Sequence, residues 1–193
     1  ALPPITRALL SAGMDPTEAG TFGFVDDPNS GFIPVASDTL LTFTLDANGN
    51  GVIDQNSNEI KGFALAGAGP PFTLEQLIIN FCGVPACGVP PIGGGPPCGI
   101  PPCAIGGPPG ASNWTLLARQ IQTIQFIYMD DQGNPLPNPA TPPYTLDAAQ
   151  RAQIRRIGVR ITIGQTGTGF SLGGRQFRYT LTSDITPRNL QGL

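Results

Sequence analysis

Residues 154–163 read IRRIGVRITI, and residues 177–185 read FRYTLTSDI. In the first stretch Ile157, Val159, Ile161 and Ile163 alternate with Arg156, Gly158, Arg160 and Thr162. Successive side chains of a strand point to opposite faces, so this spacing predicts a strand with one apolar and one polar face. In the second stretch Phe177, Tyr179, Leu181, Ser183 and Ile185 repeat the pattern. The glycine-rich residues 164–174 between them read as a hairpin loop, which makes the two strands antiparallel neighbours.

Working back from this pair, Thr145 is expected to cap a short helix over residues 146–153. Asp130-Asp131-Gln132-Gly133-Asn134 is a turn, followed by an irregular loop over 135–143. Residues 121–128 alternate as a strand with Ile124, Phe126 and Tyr128 inward. Residues 113–120 read as a short helix with Asn113 as its N-cap. Residues 72–81 are mostly apolar, and periodicity does not decide between helix and strand. Earlier still, Leu41, Phe43 and Leu45 face one way and Thr42 and Thr44 the other, a half-buried strand over 38–46. A polar turn over 47–58 and a return strand over 59–65 complete a hairpin. Residues 14–37 are turn-rich, with a short apolar-aromatic stretch at 22–25. Residues 5–12 look like the last turns of a helix, stopped by Gly13 and Pro16. The order of elements is α+β with a largely antiparallel sheet.

Between these elements lies CGVPACGVPPIGGGPPCGIPPCAIGGPPG at residues 82–110, which holds every cysteine of the chain. Cys82 and Cys87 are five residues apart, as are Cys98 and Cys103, and the second pair repeats the first sixteen residues later. Proline removes backbone donors and glycine adds backbone entropy, so the stretch is no helix. It reads as an insertion cross-linked by disulfides, either 82–87 with 98–103 or 82–98 with 87–103. Closing a sixteen-residue loop, as 82–98 or 87–103 would, contributes about 3 kcal/mol in the chain-entropy account. Four thiolates also suit zinc, but four intervening residues lie at the edge of zinc-knuckle spacing. Disulfides place the protein outside the cytoplasm. The insertion carries no charge, which predicts that it packs against another surface.

The chain has 193 residues, enough for one domain spanning 1–193 with its own core. With 10 basic and 13 acidic residues the net charge is −3, and no basic tract exists, so nucleic acid is not an expected partner. Histidine is absent, which removes Ser-His-Asp and Cys-His catalysis and all histidine metal ligation, and no enzymatic activity is expected. No apolar run is long enough to span a bilayer, and no leader is visible. For a secreted protein this implies that a leader or an anchoring segment has been removed.

Five segments carry a resemblance. They are ITRALLSAGMDPTEAGTFGF at 5–24, LLTFTLDANGNGVIDQNSNEIKGFAL at 40–65, LLARQIQTIQFIYMDDQGNPL at 116–136, IRRIGVRITI at 154–163 and FRYTLTSDITPRNL at 177–190. In this order, over roughly half of the chain, they resemble type IV pilin-like proteins of the PilW minor-pilin kind. The resemblance implies a pilin-like globular domain in which residues 1–13 end the long spine helix. It implies a structural subunit of a bacterial type IV pilus-like filament or pseudopilus, at the cell surface, acting by packing. Its partners would be other pilin subunits. The spine helix would be either a removed part of this chain or a separate helix-only subunit, and the membrane would be reached only through that helix. The cysteine-rich insertion has no counterpart in the family pattern. A secreted adhesin-like module, binding through that insertion or the acidic hairpin, is the alternative.

Two candidate sites follow from the residues. Asp46, Asn48, Asn50 and Asp54 stand at positions 1, 3, 5 and 9 of a calcium-type loop, with Gly51 at position 6 and the Val52 carbonyl as a further ligand. Position 12 is Ser57, and the carboxylate expected there, Glu59, comes two residues late. The competing reading is a polar hairpin turn built on Asn-Gly. No cofactor is required, and calcium would stiffen the hairpin. The second candidate is an interface row of Arg156, Arg160 and Arg178, read either as a docking patch for an acidic neighbour or as a solvated outer face. Asn113-Trp114-Thr115 is a formal glycosylation acceptor, with Trp114 expected in the core. The pairs Asp26/Asp27 and Asp130/Asp131 point in opposite directions on an extended chain and read as turn formers.

Overall fold

The computed structural model describes residues 2–16, 22–27, 32–53, 59–78, 114–164 and 178–187. The chain opens with helix α1 (Leu2–Leu10). Pro3 and Pro4 fall in its first turn, where backbone N–H groups have no intrahelical partner to lose. The helix therefore starts before Ile5, and it gives way to a turn over 11–13 sooner than the spacing predicted. Ile5, Leu9 and Ala12 recur at helical spacing and are fully buried. Gly13 follows with a φ of +71°, and its N–H donates to the Thr44 carbonyl (3.0 Å).

Among the described residues the strands form one seven-stranded sheet in which every pairing is antiparallel. Its strands are β1 (Leu40–Thr44), β2 (Ile60–Ala66), β3 (Phe72–Ile78), β4 (Trp114–Met129), β5 (Pro135–Leu136), β6 (Arg156–Gly164) and β7 (Arg178–Ile185). They lie in the order β1-β2-β3-β4-β6-β7, with β5 also on β4. A five-residue helix, α2 (Ala148–Ala152), precedes β6. The β-rich α+β reading holds, and the 40–65 hairpin pairs Leu40 with Ala64 and Thr44 with Ile60.

Three local expectations are corrected. Residues 113–120 were expected to be helical, but Trp114 begins a single 16-residue strand that runs through Met129. The open segment at 72–81 is the reason. Its residues 72–78 form β3, whose edge pairs Leu77 with Trp114 and Phe72 with Ile121, so sheet hydrogen bonds override a weak local helix preference. The second correction concerns α2, which is capped by Asp147 in place of Thr145. The Asp147 carboxylate accepts from the Gln150 N–H, and the Gln150 side chain accepts from the Asp147 N–H, a complete capping box. Thr145 forms a β-bridge with Ser37 instead. The third is β1. Leu41, Phe43 and Leu45 are buried as expected, but so are Thr42 and Thr44.

The sheet has two buried faces at its β1–β3 end. On one, α1 joins Phe24, Leu41, Phe43, Phe63, Leu74, Ile124, Phe126, Tyr128, Ile157, Val159 and Ile161 in the main core. On the other, Phe22, Phe32, Ile53, Ile60 and Leu77 form a second cluster, with Trp114 packed against it. Register accounts for the division, because Ile60 is level with Thr44 and Leu77 with both Gly62 and Trp114. Thr42 and Thr44 therefore face this second layer. Their hydroxyls accept from the N–H groups of Val35 (2.7 Å) and Gly23 (2.9 Å).

The β4 strand is irregular around Gln120. Gln120 has a φ of +62°, and pairing on both edges shifts register beside it. Just beyond it the Gln122 side chain lies against Gly164, whose carbonyl accepts from Nε2 (3.3 Å). A Cβ at 164 would lie 2.8 Å from Gln122 Cγ, so glycine fits there and alanine displaces the side chain.

Polar groups tie the connections to this frame. Tyr128 donates to the Ser37 carbonyl (2.8 Å) and Tyr144 to the Phe126 carbonyl, with the two rings edge-on at 6.4 Å. Buried Arg151, on α2, donates from Nε to the Phe24 carbonyl (3.3 Å), from Nη1 to the Leu146 carbonyl (3.2 Å) and from Nη2 to Asp26. Asp26, expected as a turn former, is thus half of an ion pair. Among the described residues no buried side-chain nitrogen or oxygen lacks a partner.

Two outcomes follow. Arg151→Ala removes the ion pair and leaves two buried carbonyls without donors, so chemical denaturation should show a loss of about 2–4 kcal/mol. Burial, reinforced by the Asp38 charge, raises the phenol of Tyr144 to about 12, and burial raises Tyr128 well above its ordinary value. Above the ordinary tyrosine value of about 10 the unfolded chain therefore binds fewer protons than the folded one. Stability is full below about pH 10 and falls as pH rises towards 12, with a slope of up to about 1.4 kcal/mol per pH unit for each tyrosine. Tyr144→Phe should flatten that decline in denaturation curves taken between about pH 9 and 12.

Candidate functional site

The hairpin turn between β1 and β2 is a small cradle of backbone N–H groups around two carboxylates. The Leu45 N–H donates to the Glu59 carbonyl (2.9 Å) and closes its base. Asp46 is fully buried; its Oδ1 accepts from the N–H of Gly49 (2.6 Å) and Asn50 (3.2 Å), and its Oδ2 from Gly51 (3.0 Å). Glu59 is also fully buried, and its Oε1 accepts from the N–H of Ala47 (3.0 Å) and Asn48 (3.4 Å). The Asn48 side-chain oxygen accepts from the Asn50 N–H and the Asn50 side-chain oxygen from the Val52 N–H, both at 3.0 Å. These are Asx turns, the local bonds that make asparagine a turn former. Gly51, at loop position 6, has a φ of +76°, a conformation that side-chain-bearing residues rarely adopt.

Of the six residues of the calcium reading, Asp46, Asn48, Asn50, Val52 and Glu59 are thus placed in one turn, and Asp54 lies outside the described residues. Asp46 and Glu59 both serve the same run of N–H groups, so the late position of Glu59 does not exclude it from the turn. Among the described residues no group of three or more histidine, cysteine, aspartate or glutamate side chains is gathered tightly enough to hold a metal. The arrangement as it stands compensates two buried negative charges with oriented backbone dipoles, a sufficient reason for both carboxylates to be there. A calcium ion bound here would draw on the oxygens of these two carboxylates.

The arginine row falls on the polar face of the sheet. Arg156 is level with Met129, and Arg160 with Gln125 and Thr182; both arginines are exposed. Asp184 is level with Gly158, between them, and its Oδ1 lies 3.3 Å from where a Cβ at 158 would stand. Strand geometry makes Asp184 a diagonal neighbour of both arginines, a carboxylate that the reading of an arginine row left out. The Arg178 position is level with Gly164, at the far end of β7, so the three arginines are strung along the sheet and do not converge.

Where β6 begins, the 130–132 turn and the exit of α2 border a cleft of about 550 Å³ lined by Asp130, Asp131, Gln132, Gln153, Arg155, Arg156 and Thr186. Asp130 is a turn lock, as expected. Its Oδ1 accepts from the N–H of Gln132 (3.0 Å) and Asn134 (2.7 Å), and its Oδ2 accepts from Asn134 Nδ2 (2.9 Å). The Asn134 side chain and these N–H groups hold its carboxyl below the usual aspartate value. Arg155 is turned onto the carbonyls of Ala152 and Ile154, both at 2.9 Å. Cys82, Cys87, Cys98, Cys103 and Asn113 lie outside the described residues.

Sequence reasoning missed Arg151. Nothing in its spacing separates it from the exposed arginines, because its partners, Phe24 and Asp26, stand more than a hundred residues away and meet it only through the fold. If the turn binds calcium, saturating the protein at about 100 times the dissociation constant should stabilise it by about 2.7 kcal/mol, and chelator should reverse the shift. Asp46→Asn should abolish the shift, and a melting curve unmoved by calcium or chelator removes the metal reading. No family model, no curated protein and no solved structure matches this chain.

Proposed function

We propose that this chain is a structural subunit of a bacterial type IV pilus-like filament or pseudopilus, and that it works by packing. The observation that carries the reading is the seat of α1. This helix precedes an all-antiparallel sheet, lays Ile5, Leu9 and Ala12 into its apolar face and lies against β7. A helix so placed couples a sheet domain rigidly to whatever the helix joins, whether a continuous spine or a separate helical partner. The polar face of the sheet, with Arg156, Arg160 and Asp184, is then turned outwards. The loops are left to meet neighbours or solvent, and the uncharged 82–110 segment suits contact with another subunit.

A second reading, a secreted binding module, draws on the cleft beside β6, whose mixed lining of Asp131, Gln132, Gln153 and Arg156 suits a small polar ligand. Surface filaments sheared from the native cells distinguish the two. The filament reading expects this chain among their proteins by mass spectrometry, and antibody against it along the shaft or at the tip. It also expects the gene to encode a prepilin-type leader with an apolar helix, or to adjoin a gene for a helix-only pilin. Recovery of the chain only as free protein, from a gene with a conventional cleaved secretion signal, would sink the filament reading and favour the module.

A further inference from the structure

We propose that β7 is the seam of a symmetric pair, in which two copies of this chain join β7 to β7 antiparallel with Leu181 on the two-fold axis. The sheet order ends at β7, so among the described residues no strand covers its outer edge. An open edge is a row of unpaired backbone donors and acceptors, and proteins commonly blunt it with charge, proline or a covering segment. At the other margin that cover exists, because the Thr42 and Thr44 N–H groups donate to the carbonyls of Val35 (2.7 Å) and Gly23 (2.9 Å). Nothing among the described residues does the same for β7.

The side chains of β7 point to a partner. Tyr179, Leu181, Ser183 and Ile185 are level with Ile163, Ile161, Val159 and Ile157, and so share their apolar face. Ile185 is buried at 2 % exposure, yet Leu181 is 37 % exposed and Tyr179 65 %. The apolar face of the sheet thus runs out into solvent towards one end of its own edge. On the opposite face Thr180, Thr182 and Asp184 are exposed.

A second copy is the occupant that fits. In an antiparallel self-pair, the two apolar faces join only in registers that pair odd positions with odd and even with even. Centring on Leu181 sets Leu181 against Leu181 and Tyr179 against Ser183, an aromatic residue beside a small one. It also sets Thr180 against Thr182, a pairing of the kind already made within the chain, where the hydroxyls of Thr162 and Thr180 lie 3.4 Å apart. The same register brings the Arg178 position level with Asp184 of the copy. Symmetry makes that match of opposite formal charge twice. Centring on Thr182 forfeits the charge match and sets Tyr179 against Ile185, a residue already buried within its own chain.

The test uses the whole chain. Sedimentation between about 1 and 500 µM should show a reversible monomer–dimer equilibrium. Leu181→Lys places two like charges on the axis and should weaken the dimer at least about tenfold, with an unchanged circular dichroism spectrum. Register is read by mild oxidation. A cysteine at 181 meets its own copy at about 4.5–5.5 Å between Cα atoms, within disulfide reach. A cysteine at 182 stands about 8 Å from its copy, beyond that reach. Leu181→Cys should therefore give at least about ten times more cross-linked dimer on a non-reducing gel than Thr182→Cys, each measured over the unaltered chain. A chain that stays monomeric throughout, a dimer indifferent to Leu181→Lys, or equal trapping at the two positions overturns the proposal. The pair does not depend on the filament reading: a monomeric result would leave that reading intact, and absence from filaments would leave the pair intact.

Discussion

The frame depends on one long strand, Trp114–Met129. Its first half offers one edge to β3, its second half offers the other edge to β6, and β5 returns onto its end. A strand used in this way joins two smaller sheets, β1–β3 and β6–β7, that otherwise share little. The register shift beside Gln120 is the adjustment that lets both pairings occur on one chain. Around this strand the layers sort themselves. The face that meets α1 becomes the main core, and the face that meets Phe22 and Phe32 becomes the second cluster.

This dependence explains what could be read in the sequence. The alternation of Ile157, Val159 and Ile161, and that of Leu41, Phe43 and Leu45, is imposed by a face that must be buried, and a face leaves its period in the chain. The 40–65 hairpin was legible for the same reason. Residues 114–120 were not legible, because their strand state comes from the edge of β3 and not from their own preference. Thr42 and Thr44 look like solvent-facing residues in the sequence. They are buried where Gly23 and Val35, in irregular chain, bond to them, and irregular chain carries no period. The acidic turn was legible as a motif, since Asp-x-Asn-x-Asn-Gly specifies its own local bonds. Asp184 between the two arginines was not, because it belongs to the next strand.

Three of the buried ionic groups share a logic. Asp46 and Glu59 are held by backbone N–H groups, and Arg151 by two backbone carbonyls as well as Asp26. In each case a full charge is set against the chain's own dipoles at a point where the path would otherwise be free: a hairpin tip, or the junction of α2 with the segment after α1. Such groups act as rivets for loops, and their location away from the apolar faces agrees with the high cost of burying charge among hydrocarbon.

The cover over β1 has a further meaning. Residues 13–14, 23 and 35 spend their backbone bonds on Thr42, Thr44 and Asp46, so that margin of the sheet is shut by the chain itself. A sheet with two free margins is divalent and can add neighbours without end, as fibres do. A sheet with one shut margin is at most univalent through its strands: one pairing exhausts it. Growth into anything larger must then proceed through a different surface, such as the helix or the loops, and the direction of that growth is set by side chains and not by backbone.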